Sequence, residues 1–121
     1  MNSTDTVFVV VKHIVEGFHF WENAPEDIEF LRNPHRHLFH VKLYIQVSED
    51  DREIEFFQLK RWLIKVCEDV FPAYPVKKSC EMFAKEILDG AEGKFGGREY
   101  KCEVFEDGEN GAVVSRTCLS D

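Results

Sequence analysis

The chain has 121 residues, a formal charge of −8 and 44% hydrophobic residues, eleven of them Phe, so one domain with a full apolar core is expected over residues 1–121. No apolar run approaches the ~20 residues of a membrane span, and an acidic chain without a basic cluster is not expected to bind nucleic acid. Met1 to Thr6 is polar, carries an acid and does not read as a signal peptide, so a cytoplasmic location is expected.

Val7 to Phe20 reads as a strand with apolar residues on both faces, the pattern of a strand covered on two sides. Asn23 to Pro34 is a polar, acidic loop with two prolines and room for one helical turn. The next strand is the clearest in the chain. His35, His37, Phe39, Val41, Leu43, Ile45 and Val47 share one face, and Arg36, Leu38, His40, Lys42, Tyr44, Gln46 and Ser48 share the other. That alternation has period two over about fourteen residues.

Ser48 to Arg52 is a charged turn. Glu55 to Val70 then repeats Phe56, Leu59, Trp62, Leu63, Val66 and Val70 at spacings of three and four, which predicts a helix with one apolar face. Phe71 to Lys77 holds two prolines and is expected to be a linker. Ser79 is the expected N-cap of a second helix through Leu88, with Met82, Phe83, Ile87 and Leu88 inward. Gly90 to Gly97 reads as a glycine-rich turn. Glu99–Phe105 and Ala112–Thr117 read as a final hairpin around Asp107-Gly108-Glu109-Asn110-Gly111. The order is therefore ββααββ, an α+β domain. Cys67, Cys80, Cys102 and Cys118 are widely spaced without a CxxC pair and read as reduced thiols.

All five histidines lie in the first third of the chain, at 13, 19, 35, 37 and 40. His35 and His37, at i and i+2 of a strand, point to one face. Neutral imidazole is a preferred zinc ligand, and catalytic zinc takes three protein ligands and keeps a fourth position open. His19, at a strand end, is the candidate third ligand. His13 shares its parity but lies mid-strand, and His40 faces the other way. The plain alternative is three histidines held by ordinary hydrogen bonds.

Five segments, in order, resemble the 6-pyruvoyltetrahydropterin synthase / 6-carboxytetrahydropterin synthase family. Gly17-Phe18-His19-Phe20-Trp21 stands where the family has a strand-ending zinc histidine. His35-Arg36-His37-Leu38-Phe39-His40-Val41-Lys42-Leu43 is similar to its HGHNYxVxV. Ile54 to Lys60 and Lys78 to Ile87 are similar to the segments that open its two helices. Val104-Phe105-Glu106-Asp107 is similar to its late VxET strand. The resemblance implies a tunnelling-fold subunit: a four-stranded antiparallel sheet with two helices on one face, assembling through its sheets into a β-barrel trimer or hexamer. It implies zinc held by His19, His35 and His37. It implies a pterin- or purine-like ring anchored by Glu106, whose two coplanar oxygens match two parallel N–H donors, with Cys80 lining the pocket. The implied activity is a lyase acting on dihydroneopterin triphosphate, on a route to tetrahydropterin or deazaguanine compounds.

The departures cluster on proton transfer. The family's cysteine before HGH is absent: Leu31 occupies one family spacing and Glu29 the other. Because some members carry glutamate there, Glu29 is the candidate base, its plain alternative being a loop charge beside Glu26 and Asp27. The family's Asp-His pair between the helices is missing, and Arg36 replaces the glycine between the two histidines. Two expectations follow: an enzyme with relocated acid and base groups, or a relative that binds a ring without turning it over.

Overall fold

The computed structural model describes residues 5–118. Strands β1 (Val7–His19) and β2 (His35–Val47) are followed by helices α1 (Phe56–Val70) and α2 (Cys80–Phe95), then β3 (Glu99–Glu106) and β4 (Asn110–Thr117). The four strands form one antiparallel sheet in the order β1-β2-β3-β4. The ββααββ order expected from periodicity is the observed one.

The alternation along β2 sets the layers. Phe39, Val41, Leu43 and Ile45 are almost wholly buried, and they meet Tyr100, Cys102 and Val104 of β3 on the same face. Leu59, Leu63, Cys67 and Val70 of α1 and Phe83, Ala84, Ile87, Leu88 and Ala91 of α2 close that face. These positions recur at three and four, so each helix offers one continuous stripe to the sheet. The other face carries no helix, and Val10, Ile14 and Val113 are exposed there. Among the described residues no helix is long and apolar enough to cross a membrane.

Both helices start on side-chain caps. The Glu55 carboxylate accepts from the amides of Phe57 and Gln58 at 2.8 and 3.0 Å, and the expected cap Ser79 accepts from Met82 at 3.2 Å. Such caps satisfy amides that the first turn leaves without partners.

Several expectations are corrected. Helix α2 continues through Gly90 and Gly93 and stops at Phe95, before Gly96 at φ +84°. Ala91 is buried and Phe95 packs edge-on against Trp62, so tertiary packing outweighs the poor helix propensity of the glycines. Met82 is 52% exposed because it lies off the stripe of Cys80, Phe83, Ala84, Ile87 and Leu88, and Phe56, the first residue of α1, is 57% exposed. The acidic loop contains a kinked 3-10 segment, Glu26–Arg32, with no buried residue. The inter-helix linker is also more than a spacer. Val76 exchanges backbone hydrogen bonds with Phe18 and Phe20, at 3.1 and 3.2 Å, and so zips onto the end of β1.

Candidate metal centre

The β1–β2 register brings the histidines together. His19 lies directly opposite His35, and Gly17 opposite His37. Directly opposed antiparallel residues have Cβ atoms ~4.5–5.5 Å apart, so a register of this kind stacks imidazoles without any loop rearrangement. The ring centroids form a triangle of 4.5, 5.0 and 5.3 Å. One ligand nitrogen from each ring can be chosen so that all lie within 4.8 Å of one another. Gly17 is needed there because a methyl group on it would come within 2.8 Å of the Phe39 ring that supports the cluster. His13 pairs with Val41 further along the sheet and stays outside the cluster, and His40 lies on the opposite face.

Each imidazole is fixed through Nδ1 by a different partner. His19 Nδ1 donates to the Lys78 carbonyl at 2.7 Å, which the zipped linker delivers. His35 Nδ1 donates to the Asn33 carbonyl at 2.9 Å. His37 Nδ1 donates to Asp107 Oδ2 at 2.7 Å, while Asp107 Oδ1 accepts from the Leu38 amide at 2.9 Å. Asp107 sits at φ +55° in the β3–β4 turn, a left-handed conformation that Asp adopts more readily than most residues. Nδ1 anchoring of this kind sets the tautomer and leaves Nε2 with its lone pair, the usual support of a metal-bound histidine.

The Nε2 atoms of His19 and His37 are buried without a hydrogen-bond partner. They face the Glu106 carboxylate, with Oε2 3.0 Å from His19 Nε2 and Oε1 3.5 Å from His37 Nε2. With Nδ1 carrying a proton, a second proton on Nε2 or a bound cation makes each of these contacts attractive. Burial pushes the His19 pKa down, but contact with Glu106 and the Lys78 carbonyl outweighs it and the net shift is upward. Contact with His19, aided by the charges of His37 and His35, holds Glu106 below the usual carboxylate range. Three imidazoles, His19, His35 and His37, are a donor set suited to zinc. The orphaned Nε2 atoms show that the residues present fit such an ion.

The cluster forms one wall of a concavity of about 700 Å³ that also takes in Trp21, Leu31, Lys78, Cys80, Met82 and Glu106. That volume lies within the ~300–1,000 Å³ usual for small-molecule sites. Cys80 is buried, with Sγ 3.9 Å from Glu106 Oε2. Burial, reinforced by Glu106 and Glu81, pushes its thiol up to about 12, so it is a protonated thiol rather than a ready thiolate. Glu29 is exposed, 3.8 Å from Arg32, along a separate shallow groove with Glu26 and Asp27, and is not among the residues lining the histidine concavity.

Sequence reasoning brought together His19, His35, His37, Glu106 and Cys80; His19, His35, Glu106 and Cys80 line this concavity, and His37 sits in the histidine cluster beside it. It missed Asp107, which reads as a turn residue, and the Lys78 and Asn33 carbonyls, which have no signature in a sequence.

No family model matches the chain, and no curated protein sequence matches it as a relative. Solved structures do. 6-Pyruvoyl tetrahydropterin synthase from Plasmodium falciparum superposes with a TM-score of 0.67 at 18% identity, covering 93% of this chain and 98% of that one. The Plasmodium vivax enzyme gives 0.65 at 16% identity, covering 93% and 99%. A P. vivax variant in which a catalytic glutamate is replaced by cysteine gives 0.66 at 14%, with the same coverage of 93% and 99%. The chain therefore has the fold of the 6-pyruvoyl tetrahydropterin synthases, at a large distance in sequence.

Proposed function

We propose that this chain is a zinc-binding, pterin synthase-like protein that takes a pterin- or purine-like ring into the concavity beside its histidine cluster. The observation that carries this reading is the convergence of His19, His35 and His37, each held through Nδ1 by a separate acceptor, next to a carboxylate in a pocket of ligand size. His19, His35 and His37 would hold the zinc, which as a Lewis acid polarises the oxygens of a bound substrate. Glu106 presents the carboxylate that would accept from the amino group and ring N–H of the ligand. The activity proposed is that of a lyase on dihydroneopterin triphosphate, yielding a 6-substituted tetrahydropterin, with Glu29 as the base. The glutamate named as catalytic in the P. vivax variant supports a carboxylate in that role. A cytoplasmic homo-oligomer, trimer or hexamer, is proposed with it. Exposed Val10, Ile14 and Val113 on the helix-free face support association through the sheets.

Two observations favour a second reading, ring binding without turnover: Glu29 does not line the concavity, and the Cys80 thiol within it is protonated. Assay of dihydroneopterin triphosphate turnover separates the two. Turnover lost on Glu29→Ala supports the lyase, whereas turnover that survives in Glu29→Ala removes the proposed base. Ring binding without turnover, abolished by Glu106→Ala, supports the second reading.

A further inference from the structure

We propose that Trp21 is the platform on which the bound ring stacks, and that it makes the concavity selective for a planar heteroaromatic ring. The inference rests on the ring-binding reading above and adds the group that grips the face of the ring. Trp21 lines the concavity and is 50% exposed, and Met82, which lines it too, is 52% exposed. A single exposed apolar residue needs no explanation. Here apolar side chains from three segments converge on one cavity: Trp21 after β1, Leu31 in the 3-10 segment and Met82 in the first turn of α2. The other tryptophan, Trp62, packs edge-on against Phe95.

The backbone around Trp21 is held, although its side chain is only half covered. The Trp21 amide donates to the Leu31 carbonyl at 2.8 Å, and the Trp21 carbonyl accepts from the Ala24 amide at 3.2 Å. On either side, the Phe20 amide donates to the Val76 carbonyl at 3.2 Å, and the Ala24 carbonyl accepts from Arg32 Nε at 2.7 Å. An indole has two side-chain torsions, so on a fixed corner it loses little freedom when a ligand covers it, and lost freedom is a main cost of binding. Glu106 lines the same cavity. A carboxylate takes the N–H edge of a ring, and an indole takes its face by offset stacking. Stacking requires a flat partner. Aromatic pterins and purines are flat, whereas a tetrahydropterin carries a puckered saturated ring that offers an indole less contact.

Neopterin, which is planar, and tetrahydroneopterin, which carries the same side chain on a puckered ring, test the assignment by anaerobic equilibrium dialysis. The wild-type chain is expected to prefer neopterin and, on binding it, to shift its long-wavelength absorption band to the red with loss of intensity. Trp21→Leu is expected to weaken neopterin ~5–100-fold, the scale of aromatic-to-alanine changes under a stacked base. The loss for tetrahydroneopterin is expected to be smaller, so the preference for the flat ring collapses, and Trp21→Phe is expected to restore it. Equal losses for the two ligands would assign Trp21 a structural role and overturn the inference, and so would neopterin affinity unchanged in Trp21→Leu. Wild-type binding that leaves the neopterin band unmoved overturns it too, and that measurement stands even where the variant fails to fold. A wild-type chain that binds neither ligand overturns the ring-binding reading along with this one, which separates the two failures.

Discussion

The inner face of β2 changes character within one pair of residues. From Phe39 to Ile45 it is dry: four apolar side chains with almost no exposure, locked between two helical stripes. At His37 the same face becomes polar, and at His35 it opens into a concavity. Both halves obey the same period-two geometry, but different forces hold them. The middle is held by burial, at roughly 25 cal/mol per Å² of apolar area. The end is held by directed hydrogen bonds to three imidazoles, whose partners come from the inter-helix linker, the loop before β2 and the β3–β4 turn. A stable middle thus presents an end whose ligand atoms are positioned but not satisfied, which is what an ion site requires.

The largest expected effect separates the two halves. Leu43→Ala opens a cavity in the dry middle and is expected to cost roughly 2–5 kcal/mol in urea unfolding, while the protein that remains folded binds zinc as before. His37→Ala is expected to do the reverse: zinc binding is lost, and the urea midpoint of the metal-free protein stays close to wild type. If Leu43→Ala weakened zinc as strongly as His37→Ala, the two halves would be one unit and the comparison would break.

Asp107→Asn gives a smaller, sharper effect. Asn tolerates the left-handed backbone at φ +55°, so the turn is kept. It has one carbonyl oxygen where Asp has two, so it can serve the Leu38 amide or His37, but not both. Zinc affinity measured by chelator competition is expected to fall ~10–100-fold with the fold intact. Unchanged affinity would remove Asp107 from the site.

Cysteine labelling maps the dry middle. Burial pushes the Cys67 thiol up to about 12. A raised thiol pKa keeps the reactive thiolate scarce until pH approaches that value. Iodoacetamide labelling followed by mass spectrometry is therefore expected to modify the partly exposed Cys118 in the native protein. Cys67 and Cys102 should react only on unfolding, with no rise between pH 7 and 9. Rapid native labelling of Cys67 would show that the interior opens.

The sequence made the middle legible because burial writes itself into periodicity. The alternation along β2 and the three-and-four spacing along α1 predict the layers they form. Where burial alone does not decide, reading stopped short. Gly90 and Gly93 resemble helix breakers, yet Ala91 and Phe95 carry α2 past them through contacts with distant residues. The end of the sheet was legible only in its side chains. His19, His35 and His37 could be grouped by parity and by resemblance, and Glu106 by its strand. The groups that fix the imidazoles could not be read. Backbone carbonyls occur at every residue, and an aspartate in a turn is explained by the turn alone. Glu29 rests on one spacing, and spacing in a kinked 3-10 segment does not determine which way a side chain faces.

The most direct test of the central claim is X-ray diffraction of crystals grown with zinc, with anomalous data collected above and below the zinc edge. The account predicts one peak per chain, within bonding distance of Nε2 of His19, His35 and His37. Zinc bound elsewhere, or three imidazoles closed on one another by hydrogen bonds with no peak between them, would contradict it.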